Sequence, residues 1–566
     1  MAGPPRDQGT PRLTPASAPQ LEPLDPKELR WRCTRECIAN EVAKEDVHAG
    51  SDDAVSALRF GMEQPGRGLN VYLSGRVGTR RLALIQALHP TLRSRRTHRP
   101  DRLYVHDFLQ PTRPRLLEVE AGLGRELVAD LEKLAAAPDR ASFATMRERW
   151  SAPELLAWLD EAERGAAAPG AGHLLRGNLL SEGYWGLAPL VEEPVPTWEN
   201  LFGTFAPSGG QAAGALDLRG GSLLAADGGW LVVRAEDLIH RGSVWAELLR
   251  VLHFGELEIR RPADGPADGV RPTPIPLDPR VLMLGNETAY AELFDGNRQF
   301  PNIFKVKTTF EGRLPRTPTT LARHVAVAHG IVAQGALPID EGAINAICEE
   351  AARESGDRRF VTARFSWTED LVRHADHVAR TRGADQITAN DVYEAENAER
   401  RRLGIRDRWV REDAIEGRIL IDTVGARVGV VNGLAVHDYG NLGKVCRITA
   451  TVGPGTRGIV NVEREVSLSA SSYDKGIFIL AGYLSWRLAS EQAAPFTARL
   501  VFEQSYGGIT GDSATMAETV AILSALSDLP VRQDLAITGS MNQHGEAQSI
   551  GGVNEKIEGF FELCRA

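Results

Sequence analysis

F-E-Q-S-Y-G-G-I-T-G-D-S-A-T-M-A-E-T, residues 502–519, puts Ser513 where a glycine-rich turn closes and a helix opens. Leu500, Val501 and Phe502 precede the turn and predict a short buried strand over residues 498–504. After the turn, Met516, Val520 and Leu523 recur at helical spacing and predict one apolar face. A serine at such a junction lies beside backbone N–H groups that the first helical turn leaves unpaired. Those donors suit an oxyanion. Asp512 or Ser513 would equally serve as a helix N-cap, and this stretch alone leaves both readings open.

Further on, L-A-I-T-G-S-M-N-Q-H-G-E-A-Q-S-I-G-G-V-N-E-K-I-E-G-F-F, residues 535–561, runs from a strand-like segment through a second glycine turn to Lys556 near the start of a helix. A lysine activates a serine only when neutral, which asks its pKa to fall by about 3 units, a cost of ~4 kcal/mol. An apolar pocket does this, and Ile557, Phe560 and Phe561 are the expected apolar neighbours. His544 sits in a turn-like N-Q-H-G-E and reads as a solvated loop residue. A lone lysine on a helix is ordinarily surface charge, so spacing does not decide its role.

Three separated motifs, F-E-Q-S-Y-G-G-I-T-G-D-S-A, A-I-T-G-S-M-N-Q-H-G-E and I-G-G-V-N-E-K-I-E-G-F-F, resemble the proteolytic domain of the Lon family in order and spacing. These are serine–lysine peptidases usually fused to an AAA+ ATPase. The resemblance implies that Ser513 is the nucleophile, that Lys556, 43 residues on, is its general base, and that Thr538 lies beside the amine. The G-D-S form resembles the branch with an acidic residue before the serine. The family domain continues beyond Ala566, where this sequence stops inside an amphipathic helix, so a C-terminally truncated peptidase domain is expected.

The 566 residues carry 43% hydrophobic side chains and a net charge of −10. That length predicts three or four domains. The negative balance argues against a general nucleic-acid or anionic-membrane binder. Five scattered cysteines, at 33, 37, 348, 446 and 564, argue against a disulfide framework and for a reducing compartment. Cys33-x-x-x-Cys37 lacks a second ligand pair, so no metal site is expected. There is no apolar signal core and no run of about 18 apolar residues. The expectation is a soluble, cytoplasmic protein.

Upstream, L-N-V-Y-L-S (69–74) predicts a buried strand leading into G-R-V-G-T-R-R-L (75–82) and a helix. This is the setting of a phosphate loop, G-x-x-x-x-G-K-[ST]. Gly75 fits; Arg80 replaces the second glycine, Arg81 the lysine, and Leu82 the magnesium-binding hydroxyl. A strand over 230–233 then meets Arg234 where an ATPase places a magnesium-holding acid, and arginine cannot coordinate a cation. Gly75, Gly78, Arg81, Asn286 and Arg364 are the candidate nucleotide contacts. The losses argue for weak or absent ATP hydrolysis, although the resemblance implies ATP and magnesium as cofactors.

The expected fold class is therefore multidomain α/β and α+β. Residues 1–24 read as disordered. An AAA+-like α/β module follows over 25–315, with a helical insertion at about 110–190 and helices over 115–165. A helical lid over 316–410 carries a capping-box start at Thr388 and Asp391. Residues 401–420 read as a charged connector, and 411–566 as the Lon-type peptidase domain. Arg93, Arg95, Arg96, Arg99 and Arg102 read as a solvated basic loop. The resemblance implies a homo-oligomeric ring that degrades unfolded proteins. Two rivals stand beside it: an ATP-independent peptidase on a pseudo-ATPase ring, and a non-catalytic chaperone-like or assembly protein.

Overall fold

The protein is described from a computed structural model, over residues 24–43, 46–48, 50–64, 66, 68–92, 96–165, 170–205, 215–260, 270–436, 443–488 and 496–566. The expected disordered N-terminus falls outside these residues, apart from Leu24.

The chain first builds helix α1 (Asp52–Glu63), strand β1 (Val71–Gly75) and helix α2 (Arg81–Leu88). An insertion follows, with strands β2 (Asp101–Val105) and β3 (Arg115–Val119) and helices α3 (Gly124–Ala136), α4 (Arg140–Arg149) and α5 (Pro153–Gly165). Strand β4 (Gly177–Ser181) completes an antiparallel sheet in the order β3-β2-β4. The helices cover this sheet with their own core, built on Leu103, Leu127, Leu131, Phe143 and Trp158. The stretch 115–165 is thus not helical throughout. R-L-L-E-V is claimed by β2 as a sheet partner, and that pairing fixes it as a strand.

The main sheet is then completed by β5 (Leu190–Glu192), β6 (Trp230–Arg234), β7 (Arg280–Gly285) and β8 (Val306–Phe310). Its order is β8-β1-β7-β6-β5 and every pairing is parallel. Parallel strands are buried on both faces, which accounts for apolar runs such as Trp230–Val233. The period of two divides them between two cores. Tyr72, Leu231, Val233 and Met283 face one side; Val71, Leu73, Trp230, Val232 and Leu282 face the other. Short helix α6 (Ala235–Ile239) follows β6, and α7 (Glu287–Gly296) follows β7.

Helices α8 (Pro318–Ala333), α9 (Glu341–Glu354), α10 (Phe365–Thr381) and α11 (Ala389–Leu403) form the lid. Ile347, Leu371, Val372 and Val392 lie in its core. The capping box forms: the Asp391 carboxylate accepts from the Thr388 amide at 2.8 Å and the Thr388 hydroxyl at 2.7 Å. The stretch expected as a connector is itself largely helical, α12 (Ile405–Ile415).

The C-terminal domain contains β9 (Val430–Val436), β10 (Gly443–Pro454), β11 (Gly458–Asn461), α13 (Ser471–Leu488), β12 (Phe496–Phe502), α14 (Thr515–Ser527), β13 (Ala536–Ile537) and α15 (Val553–Arg565). Its mixed sheet runs β11-β12-β10-β9-β13. Helices α13 and α14 pack on it through Tyr473, Ile477, Leu480, Ala517, Ala521 and Ile522. The buried face of α14 is therefore not the one carrying Met516, Val520 and Leu523. Leu523 is exposed, and Met516 and Val520 are half-buried.

The basic run also differs from a solvated loop. Arg93 and Arg95 lie outside the described residues. Arg102, on β2, is buried and pairs with Asp227 at 2.9 Å and Glu118 at 2.8 Å. Arg99 also reaches Asp227, at 3.3 Å. Among the described residues, no helix is long and apolar enough to cross a membrane.

Candidate active site

Strand β12 delivers the chain to the turn at 507–511, where Gly511 takes a positive φ of 79°. The turn sets Ser513 two residues ahead of α14. Neither Asp512 nor Ser513 caps the helix; the cap position is Ala514, with no side-chain bond. The Asp512 carboxylate instead accepts from Ser540 Oγ at 2.8 Å. The segment after β13 is fastened to the same turn. The Gly539 amide donates to the Ser513 carbonyl at 2.7 Å, and the Met516 amide donates to the Gly539 carbonyl at 3.1 Å. A side chain at 539 would meet Met516 Sδ at 2.3 Å, so a larger residue there would displace the Met516 side chain.

The same strap places Thr538. Its hydroxyl donates to the Ser513 carbonyl at 3.2 Å and accepts from Lys556 Nζ, also at 3.2 Å. Lys556 Nζ lies 3.0 Å from Ser513 Oγ. Ser513, Thr538 and Lys556, from three separate segments, thus converge on one point. Lys556 is 3% exposed. Burial lowers its pKa below the usual lysine value, while the neighbouring Cys446 works the other way. The pocket walls are not those expected. Ile557 and Phe561 are exposed to 52% and 61%, and Phe560 is half-buried. The lysine is enclosed instead by the sheet side of α15, near Cys446 on β10 and Gly443, against which its backbone packs. The amides of Ser513 and Ala514 donate to no protein acceptor among the described residues, so they are available beside Oγ. His544 is exposed and edge-on to Trp486, away from this cluster.

Several neighbours carry no sequence signal of their own. Ser540 and Cys446 reach the site only through strand pairing and the Gly539 strap. Glu518, one turn into α14, is buried and accepts from the Tyr473 hydroxyl at 2.7 Å. Burial pushes its carboxyl up to about 8. A charged residue on a helix reads as surface until its neighbours are known.

The second candidate site lies at the carboxyl ends of the parallel strands. Gly75 ends β1, and Arg80 adopts a left-handed φ of 53° where the phosphate-loop pattern has glycine. Arg81 turns inward: its Nη1 donates to the carbonyls of Leu73 and Gly285, each at 2.5 Å, which ties β1 to β7. The Gly78 carbonyl accepts from the Ser366 amide of α10 at 3.1 Å, and Arg80 pairs with Glu369 of the same helix. The Asn286 side chain caps α7 by accepting from the Ala289 amide at 2.8 Å. Arg364 pairs with Glu354 at 3.0 Å. Arg234, at the end of β6, precedes α6, whose first turn holds Glu236 and Asp237. The five candidate contacts are thus gathered near the sheet end and the lid. The side chains of Arg81, Asn286 and Arg364 are engaged within the protein.

A parallel α/β module with a helical lid, joined to a mixed α+β domain, defines a protein of the AAA-plus-peptidase class. Residues 186–311 match the LonB-like AAA domain, 338–402 the AAA+ ATPase lid domain of archaeal LonB, 101–134 the LonC helical domain, and 421–560 the Lon protease (S16) C-terminal proteolytic domain. A protein of Escherichia coli named "Putative Lon protease homolog" is 30% identical over 421 residues, 70% of this chain and 68% of that protein. One of the same name from Haemophilus influenzae is 30% identical over 60% of this chain and 57% of its own length. An archaeal Lon protease of Methanocaldococcus jannaschii reaches 40% identity over 146 residues, 23% of this chain and 21% of its own. The chain belongs to the Lon protease family. It spans about two thirds of the first of these relatives and less of the others.

Proposed function

We propose that the protein is a serine endopeptidase acting on unfolded polypeptides through a Ser513–Lys556 dyad. The observation that carries this is the 3.0 Å separation of Lys556 Nζ and Ser513 Oγ in a buried setting that favours neutral lysine. Thr538 takes one N–H of the amine. This directs the nitrogen lone pair at the Ser513 hydroxyl, the arrangement a general base needs. Neutral Lys556 removes the Ser513 proton as Oγ attacks the peptide carbonyl. The tetrahedral oxyanion forms beside the amides of Ser513 and Ala514, a contribution of about 3 kcal/mol per donor. Lys556 then returns the proton to the leaving amine, and water releases the acyl group by the reverse sequence.

The nucleotide module acts in this reading as a scaffold for a homo-oligomeric ring. Residues at its phosphate loop do not fit magnesium and ATP. Leu82 and Arg234 supply neither the hydroxyl nor the acid a magnesium ion needs, and the Arg81 guanidinium is held by two carbonyls. The test is degradation of an unfolded protein with and without Mg-ATP, beside Ser513→Ala and Lys556→Met. The expected result is cleavage indifferent to ATP and reduced about 10⁴-fold or more in both variants. Wild-type cleavage by Ser513→Ala would overturn the dyad, and acceleration by ATP would overturn the scaffold. Absence of cleavage by every form would favour the chaperone-like alternative.

A further inference from the structure

Lys556 is the only buried residue of α15. Of the apolar side chains of this helix, Val553, Ile557 and Phe561 are 43%, 52% and 61% exposed, and Phe560 and Leu563 are half-buried. Hydrophobic burial therefore fixes the helix that carries the amine only in part. Two other contacts add to it. On the sheet side, the backbones of Gly559 and Gly443 touch so closely that a Cβ at 559 would lie 1.9 Å from the Gly443 carbonyl oxygen. On the other side stands an ionic face. Residues two apart on a helix point about 200° from each other, so Glu558 faces away from Ser513 when Lys556 faces toward it.

Glu558 meets the lid. Arg353 of α9 donates through Nη2 to both its carboxylate oxygens at 2.8 Å, and Arg400 of α11 approaches at 3.5 Å. One turn on, Glu562 pairs with Arg411 of α12 at 3.1 Å. The arginines are braced in turn. Glu396 bonds Arg400 at 3.1 Å and lies 3.5 Å from Arg353. Glu350 lies 3.8 Å from Arg353 and 3.9 Å from Arg400. Networked pairs of half-buried arginines and carboxylates hold geometry better than single surface pairs.

We propose that Glu558, gripped by Arg353 and Arg400, is a positioning residue for Lys556, so that the placement of the lid governs the reactivity of the serine. This rests on the dyad reading above. With the Glu562–Arg411 pair one turn on, Glu558 ties the outer face of α15 to its neighbours, and a small rotation carries Nζ out of reach of Oγ. Misplacement of a reacting group by about 1 Å costs up to about 100-fold in rate.

The experiment measures kcat, KM and the pH–rate profile for an unstructured peptide with the full chain, its Glu558→Ala, Glu558→Gln and Arg353→Met variants, the Glu558→Ala/Arg353→Met double variant, and Ser513→Ala. Folding of each is followed by thermal melting. Expected is a fall in kcat of about tenfold or more with KM little changed, and a displaced rising limb of the pH profile. The double variant should be no worse than either single one. Glu558→Gln keeps the shape and loses the charge, so it reports on the ion pair even where alanine unfolds the helix. Wild-type kcat and pH limb in Glu558→Gln, or a loss of rate that only follows the folded fraction, would overturn the proposal while Ser513→Ala stays inactive. Full activity of Ser513→Ala would instead remove the dyad reading beneath it.

Discussion

Glu518 carries its proton well above the usual carboxylate range, with a pKa of about 8 against an ordinary value of 4.5. Burial favours the neutral acid and outweighs the Tyr473 hydroxyl, whose hydrogen bond at 2.7 Å favours the ionised form. The folded chain thus holds a proton that the unfolded chain releases above about pH 4.5. Its stabilising effect is complete below that value and is lost as pH rises through about 8, at up to ~1.4 kcal/mol per pH unit. Thermal melting from about pH 6 to pH 8 should show stability falling with pH, and Glu518→Gln should flatten the dependence. An equal slope in the variant would assign the effect elsewhere. Ser513, Thr538 and Lys556 were expected together only through the resemblance of three motifs to the Lon family, since the glycine turns alone left a helix N-cap and a surface lysine open. Glu518 and Cys446 were not, since only the packing of α14 and β10 shows what surrounds them.

At the scale of elements, small residues and distant partners mislead a periodic reading. The face of α14 that packs on the sheet is made of Ala517, Ala521 and Ser524, with Ile522 beside them. Small side chains let a helix approach a sheet closely, but they weigh little beside Met516, Val520 and Leu523 in a hydrophobic pattern. The strand at 115–119 is hidden likewise, because its partner fixes it rather than its own propensity. Arg102 looked like part of a solvated run because Asp227, its buried partner, lies 125 residues away. That pair joins the insertion to the main module, and the Asp227 carboxylate also accepts from the Asp278 amide at 2.7 Å. Removing Asp227 leaves the buried Arg102 charge to the partly exposed Glu118 alone and the Asp278 amide without its acceptor. Asp227→Ala should therefore destabilise the module by about 2–4 kcal/mol, read in chemical denaturation. A loss below about 1 kcal/mol would class the pair with surface bridges.

Over the whole molecule, the lid meets the N-terminal segment, the phosphate-loop segment and the C-terminal domain. Arg30 and the Cys33 amide, near the start of the described chain, bind Glu350 and Glu349 of α9. Cys33 and Cys348, far apart in sequence, share the core there. Ser366 and Glu369 of α10 fasten the phosphate-loop segment, and Arg353 and Arg400 hold α15, with Arg411 of the adjoining α12 beside them. The order of modules could be read from the sequence, but this junction could not, because ion pairs between distant helices leave no periodic trace. A ligand that bound the folded module would raise the melting temperature by mass action. Millimolar Mg-ATP should leave it unmoved, and a rise of several degrees would restore nucleotide to the account.

Arg81 has a consequence for descent. Its guanidinium bridges the carbonyls of Leu73 and Gly285, two bonds that a lysine, a single point charge on a flexible stem, does not reproduce. A mutation from Arg81 to the lysine of a working phosphate loop would first loosen β1 from β7. It would regain no magnesium ligand, because Leu82 and Arg234 would still stand. On the scaffold reading proposed above, no single substitution in this loop supplies both a phosphate-binding lysine and a magnesium ligand while keeping the bridge between β1 and β7.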